Sequence, residues 1–257
     1  MSKSSINLWF VFWPVQILAL LGVLFTSPNW LYLFMGWILF CGLGSAVILH
    51  RVVSHRAIQL KKFLRKPLLF LSCLCVQGSP IWWAAVHRGM HHSHADTDKD
   101  PHSPKHGFFH SYIGWIHKKR LSRINLKIVK DLRNDNFHLW LNRNYTYIVW
   151  STFIILSLID YKLMLWFWAI PAAFSYHQEA LVNSVCHLGT IGYKNTKSKD
   201  NAMNIPFLSL ITWGQALHNN HHVNTRKYSF AKTKKEFDPS IILSLIHISE
   251  PTRPSLI

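Results

Sequence analysis

The 257-residue chain is 49% hydrophobic and 14% aromatic, only 15% charged, and has a formal net charge of +17 from 28 Lys+Arg against 11 Asp+Glu. Soluble domains average about 25% charged residues, and here the charges are segregated between long uncharged stretches, which argues against an ordinary soluble domain and for a membrane protein. The basic residues fall between apolar stretches, at Arg51 to Lys66, Lys118 to Arg143 and Lys194 to Lys235. That placement reads as positive-inside loops rather than nucleic-acid binding, and leaves a basic face that could dock an acidic partner.

In chain order, Leu8 to Thr26 is apolar apart from Gln16 and predicts a first membrane helix, broken by Pro28-Asn29. Trp30 to Leu49 holds no charge and is long enough to cross a bilayer core of about 30 Å. Pro67 to Val86 is apolar but interrupted at Gln77-Gly78-Ser79-Pro80. Tyr145 to Ile159 and Leu163 to Val182 are two further spans joined by Asp160-Tyr161-Lys162. The last holds His177, Gln178 and Glu179, which are costly in lipid unless they face the protein interior. The four cysteines, Cys41, Cys73, Cys75 and Cys186, form no CxxC pair and are expected to be buried thiols rather than a disulfide frame. Leu243 to Arg253 reads LSLIHISEPTR. It back-translates to a string resembling the end of a transposon-based sequencing adapter, so residues 243–257 are expected to be a non-native tail.

Seventeen histidines stand out. His50 and His55 form an HxxxxH where the second span ends. His87, His91 and His92 form an HxxxHH, and His218, His221 and His222 an HxxHH. Asn183 and His187 form an NxxxH where the fourth span ends. On a helix, members three or four apart share one face and converge on one ion, and imidazole suits iron, zinc or copper. A lone histidine is usually structural; three clusters with two HH doublets are not. One metal takes four to six ligands, so these nine histidines imply two metals. The lack of cysteines and carboxylates among them argues against iron–sulfur and against carboxylate-bridged di-iron of the ferritin type.

All ligands must meet on one membrane face. Two hairpins achieve this for the second and fourth spans, but only if Pro67 to Val86 does not cross. It is expected to lie along or dip into the bilayer, broken at Gly78-Ser79-Pro80. The spans are expected at about 8–27, 30–49, 145–160 and 163–183, with a cap from 50–144 and 184–242.

HRVVSHR at His50, HRGMHHSHADTDKDPHSP from His87 to Pro104, NSVCH at Asn183 and WGQALHNNHH from Trp213 to His222 resemble the membrane fatty-acid desaturases, in the stearoyl-CoA (delta-9) branch. The resemblance runs to about Ile242. It implies an all-α membrane protein, with four transmembrane helices in two hairpins and a cytosolic helical cap, and a single desaturase domain over 1–242. It makes His50, His55, His87, His91, His92, His187, His218, His221 and His222 the ligands of two non-haem irons, with Asn183 holding a metal through a water. Asp98, Asp100 and His102 look like family sequence that orders a loop, and Glu236-Phe237-Asp238-Pro239 resembles the segment after the third box.

Two features depart from the pattern. The second box has three residues before its doublet where animal members usually have two. The third box is led by Gly214-Gln215-Ala216-Leu217 where many relatives have a Gly-Glu-Gly-Trp-like lead, which suggests a bacterial subgroup.

The implied reaction is an O2-dependent desaturation: two adjacent hydrogens leave a saturated acyl chain, carried as a CoA or lipid ester, and a cis delta-9 double bond forms. The electrons would come from a separate donor such as a ferredoxin or a cytochrome b5-like protein. Trp82, Trp83 and Trp115 are candidate walls of an apolar tunnel for the chain, with ordinary aromatic packing as the alternative. The implied location is a bilayer, with the histidines on the cytoplasmic face of a bacterial inner membrane. Two competing readings are a di-iron alkane or fatty-acyl hydroxylase and a membrane metal-binding or transport protein. His94, His106, His110, His117, His138 and His177 are left without a role.

Overall fold

The computed structural model describes residues 8–117 and 125–251; the start of the basic stretch at Lys118 and the last residues of the tail lie outside them. A wide helical turn at Leu8–Phe12 leads into α1, Trp13–Phe25, where Pro14 sits in the first turn and has no amide hydrogen to lose. Asn29 caps the next helix, its side-chain oxygen accepting the Tyr32 N–H at 3.1 Å. That helix, α2, runs Trp30–Gly36 and continues over Trp37–Ser54 with wide, i→i+5 hydrogen bonding. At Gly36 it passes so close to the later helix that carries Phe167 that any Cβ would run into the Phe167 carbonyl. Arg56, at φ 53°, turns the chain into the short strand β1, Ile58–Leu60.

The interrupted apolar stretch forms two helices, α3 (Lys62–Cys73) and α4 (Pro80–Val86), and the latter continues through a wide turn at His87–His91. The break falls where expected: Val76 and Gly78 both have positive φ, and Ser79 caps α4 by accepting the Trp82 N–H. A short helix, α5 (Phe108–Tyr112), precedes α6 (Asn136–Ile159), and α7 comprises Leu163–Ala169 and Ile170–Val185. The third box is α8, His218–Val223, and α9 is Ser240–His247.

One turn joins α1 to α2 and another joins α6 to α7, and α7 packs against both α1 and α2. The two turns lie side by side: Trp166 Nε1 donates to Thr26 Oγ1 at 2.9 Å and Lys162 Nζ to Ser27 Oγ at 3.0 Å. Some twenty residues along α2, roughly 30 Å at 1.5 Å per residue, lie His50 and the other histidines. Large apolar side chains around the turns face outward, among them Leu24, Phe25, Trp30, Leu31, Leu158 and Ile159. Phe40, Val47, Ile48, Leu49, Leu69, Leu141, Val149 and Trp168 fill the core between these helices and α3.

Several boundaries differ from those read in the sequence. α6 begins at Asn136, well before the apolar span at 145, because Asp135 caps it by accepting the Phe137 and His138 N–H groups. α2 runs past residue 49 to Ser54. The described chain is not purely helical: β1 pairs antiparallel with β2, Ile248–Pro251. Among the described residues, one helix, Trp30–Ser54, is long and apolar enough to cross a membrane, and Trp9–Phe25 is a shorter apolar helix. His177, Gln178 and Glu179 do face inward, where His177 bridges Tyr112 and Gln16 and the other two are buried. All four cysteines are free and buried.

Candidate metal centre

The wide turns decide how the histidines meet. At 100° per residue, side chains five apart on an α-helix point about 140° apart, while those four apart differ by about 40°. His50 and His55, five apart, nevertheless join one group because the end of α2 is wound i→i+5. The same holds after α4. His87 Nε2 lies 3.0 Å from His92 Nε2, five residues on, and His91 is turned away to a second group. This corrects the expectation that His87 and His91 share an ion. It also accounts for the extra residue in the second box, which the wide turn absorbs. On α8, His221 joins the first group while His218 and His222 join the second.

The nine histidines thus form two sets. His50, His55, His87, His92 and His221 each offer one ring nitrogen, all within 4.8 Å of one another, as do His91, His187, His218 and His222. In the first set the Nε2 atoms follow one another: His50 to His221 at 2.9 Å, His221 to His92 at 3.0 Å, His92 to His87 at 3.0 Å and His87 to His55 at 2.9 Å. Arg88 locks the two supporting helices together. Its guanidinium donates to the Ser54 and Val53 carbonyls at the end of α2, and to Asp131 at 2.9 Å.

Tautomers follow from the outer partners. A neutral imidazole donates from one nitrogen and accepts at the other. In the second set every Nδ1 faces an acceptor: His91 faces Asp100 Oδ2 (3.0 Å), His187 Asp96 Oδ1 (3.1 Å), His222 Asp200 Oδ2 (2.9 Å) and His218 the Gln215 carbonyl (3.1 Å). All four Nδ1 atoms therefore carry the proton, and four bare Nε2 lone pairs converge. Buried His187 Nε2 and His218 Nε2 have no hydrogen-bond partner, which is the arrangement of a metal site with its outer carboxylates in place. His50 follows the same rule, donating from Nδ1 to Gln215 Oε1 at 2.5 Å. Burial, reinforced by neighbouring imidazoles, holds His87, His91, His92, His218, His221 and His222 well below 6.5, so they stay unprotonated and able to bind a cation.

Burial alone would raise the Asp96 carboxyl, but hydrogen bonds from His187 and the Asn201 N–H outweigh it and hold it below the usual range. Asp100, buried more deeply, is pushed up. Its Oδ1 also lies 3.4 Å from His102 Nδ1, and burial drives His102 down to about 3. Asp98 stays at the surface beside Lys105. Asn183 sits one turn before His187, half-buried, its carbonyl accepting from Ser111. Trp83 stacks on His87, 4.6 Å between ring centroids, and Trp115 lies 5.1 Å from His102 and parallel to Trp82. Asp96, Asp200 and Gln215 were not singled out in the sequence as supports. The segment after the third box closes the site: Glu236 collects Tyr193, Asn195 and Asn220, and Asp238 pairs with Arg51.

Residues 28–229 match the family model described as "Fatty acid desaturase". The chain is 32% identical over 212 residues to "Delta-9 acyl-lipid desaturase 2" of Arabidopsis thaliana, covering 81% of this chain and 68% of that protein. It is 31% identical over 218 residues to "sn-1 stearoyl-lipid 9-desaturase" of Synechocystis, covering 83% and 68%. It is 35% identical over 217 residues to "sn-2 palmitoyl-lipid 9-desaturase" of Nostoc, covering 80% and 73%. The match to "Delta-9 acyl-lipid desaturase 1" of Arabidopsis thaliana covers 60% of that protein.

Proposed function

The chain belongs to the fatty acid desaturase family, oxidoreductases acting on fatty acyl chains, and on that premise we propose that it introduces a cis delta-9 double bond into a saturated acyl chain held as a lipid ester. Two irons, O2 and two electrons from a separate donor, a ferredoxin or cytochrome b5-like protein, complete the reaction. The single observation behind the reading is the division of nine histidines into two convergent sets of five and four. The acyl-lipid substrate and the delta-9 position are taken from the names of these relatives.

Bound iron supplies the activation of O2 that breaking an unactivated C–H bond requires, which no acid or base side chain provides. The chain's own residues hold and orient. Asp96, Asp100 and Asp200 fix three imidazoles, Gln215 fixes two more, and Asn183 holds a metal through a water. Trp83 and Trp115 wall the acyl chain near His87 and His102. Embedding in a bilayer as four spans is supported by the outward apolar side chains around the two turns. Residues 1–242 form the desaturase unit, with its histidines on the cytoplasmic side.

Expression in a desaturase-deficient host fed a labelled saturated acid tests the reaction. A labelled 9-ene in the lipid fraction is the expected product; a labelled alcohol, or no product from an iron-loaded chain given an electron donor, overturns it. His221→Ala should abolish product and lower bound iron, and retention of both would remove the third box from the ligand set.

A further inference from the structure

Glu179 is a buried carboxyl on an apolar helix, and nothing in the reaction above uses it. A carboxyl so placed is expensive unless it has a task. Its surroundings are all oriented toward it. Ser45 Oγ donates to Glu179 Oε1 at 2.7 Å, and Gln215 Nε2 donates to the same oxygen at 2.7 Å. Behind Ser45, Gln77 Nε2 donates to the hydroxyl at 3.0 Å, and Trp83 Nε1 donates to Gln77 Oε1 at 3.0 Å. The Gln215 amide is fixed by this arrangement: its NH2 must face the carboxylate, so its oxygen faces His50 Nδ1. The network starts at Trp83, which stacks on His87, and ends at His50. Both histidines belong to the first set.

Gln215 also serves the second set, because its backbone carbonyl accepts from His218 Nδ1. One residue therefore holds a ligand in each set, through different atoms. The sets are otherwise unlike. The second has three carboxylates on its Nδ1 atoms; among the hydrogen bonds of the described residues, the first has only the Gln215 amide, with Glu179 one residue behind it.

Resting on the di-iron reading above, we propose that Glu179 and Gln215 are a paired positioning device: Gln215 relays the pull of the Glu179 carboxylate to His50 and fixes its tautomer. The pair needs one carboxylate and one amide, and the geometry allows them to trade places. Gln215→Glu alone brings two carboxyl groups into direct contact at a buried site, where they must share a proton. Glu179→Gln alone removes the carboxylate. Together the two substitutions restore one of each, with the amide at 179 donating to the carboxylate at 215 and that carboxylate accepting from His50. Gln215→Leu leaves the backbone carbonyl on His218 and removes both the hold on His50 and the donor to Glu179.

The test is an anaerobic iron(II) titration of the full chain in detergent, with iron counted per chain and folding checked by size-exclusion profile. The parent should bind two irons. Each single exchange should weaken the first site about 10- to 100-fold, the range for lost outer partners, and E179Q/Q215E should return to within about threefold of the parent. Gln215→Leu should weaken the first site by at least the same factor and leave the second unchanged. The proposal is overturned if the double variant binds no better than the worse single, if the singles bind as the parent does, or if Gln215→Leu binds both irons as tightly as the parent. A parent that binds no iron defeats the di-iron reading itself, and the pairing with it; two irons without rescue defeat the pairing alone.

Discussion

Asp200→Asn isolates what an outer carboxylate does for the second histidine set. Asp200 Oδ2 accepts from His222 Nδ1 at 2.9 Å, while Oδ1 accepts from Ser198 Oγ at 2.9 Å and from the Ala202 N–H at 3.1 Å. An asparagine cannot serve all three. With its oxygen on Ser198 and Ala202, its NH2 meets the His222 N–H, donor against donor, and drives the proton to Nε2, where the metal must bind. With the amide turned over, His222 keeps its tautomer but the Ala202 N–H meets an NH2. Either way the loss is that of an outer partner, about 10- to 100-fold in metal affinity, or about 1.4–2.7 kcal/mol. Competition of iron(II) against a chelator, with the metal counted per chain, measures it. The effect should fall on one of two irons and vanish when His222 is already alanine, since residues in one network couple. Affinity within twofold of the parent, or an equal loss added on top of His222→Ala, would refute the tautomer argument.

Three further outcomes follow from other parts of the structure. Asp238→Asn leaves Arg51 buried without its ion partner, since both side chains are fully enclosed and the carboxylate also accepts from the Phe230 N–H; a loss of about 3–5 kcal/mol is expected, read as a fall in unfolding midpoint in detergent. Gly214→Ala should cost stability in two ways, because φ is +83° and the added Cβ would collide with the Asp238 carboxylate; a midpoint equal to the parent would contradict it. His102 is held down to about 3 by burial against an ordinary 6.5. The unfolded chain therefore takes up the proton first as pH falls. The stabilisation is complete above about 6.5 and is lost between 6.5 and 3, with a slope of at most about 1.4 kcal/mol per pH unit. His102→Gln should flatten the decline of the metal-free chain's midpoint between pH 7 and pH 5.

The histidine boxes were legible because each is a short local pattern, and the break at Gly78-Ser79-Pro80 because one shared face demanded it. Their division into two sets was not, since helical winding enters only through the backbone hydrogen-bond register. His87 and His91 looked like partners at 3.6 residues per turn; in the i→i+5 turn His92 takes that place. The supporting carboxylates were hidden for a different reason. Asp96 lies 91 positions from His187, and Asp200 lies 22 from His222, so no local motif joins them to the imidazoles they orient. Yet the first box did carry a usable signal. Two histidines five apart cannot face one ion from a straight α-helix, so an HxxxxH that binds at all requires either a wide turn or a helix end. Here it has both: i→i+5 winding to Ser54, and His55 as the closing residue, its N–H bonded to the His50 carbonyl at 3.2 Å.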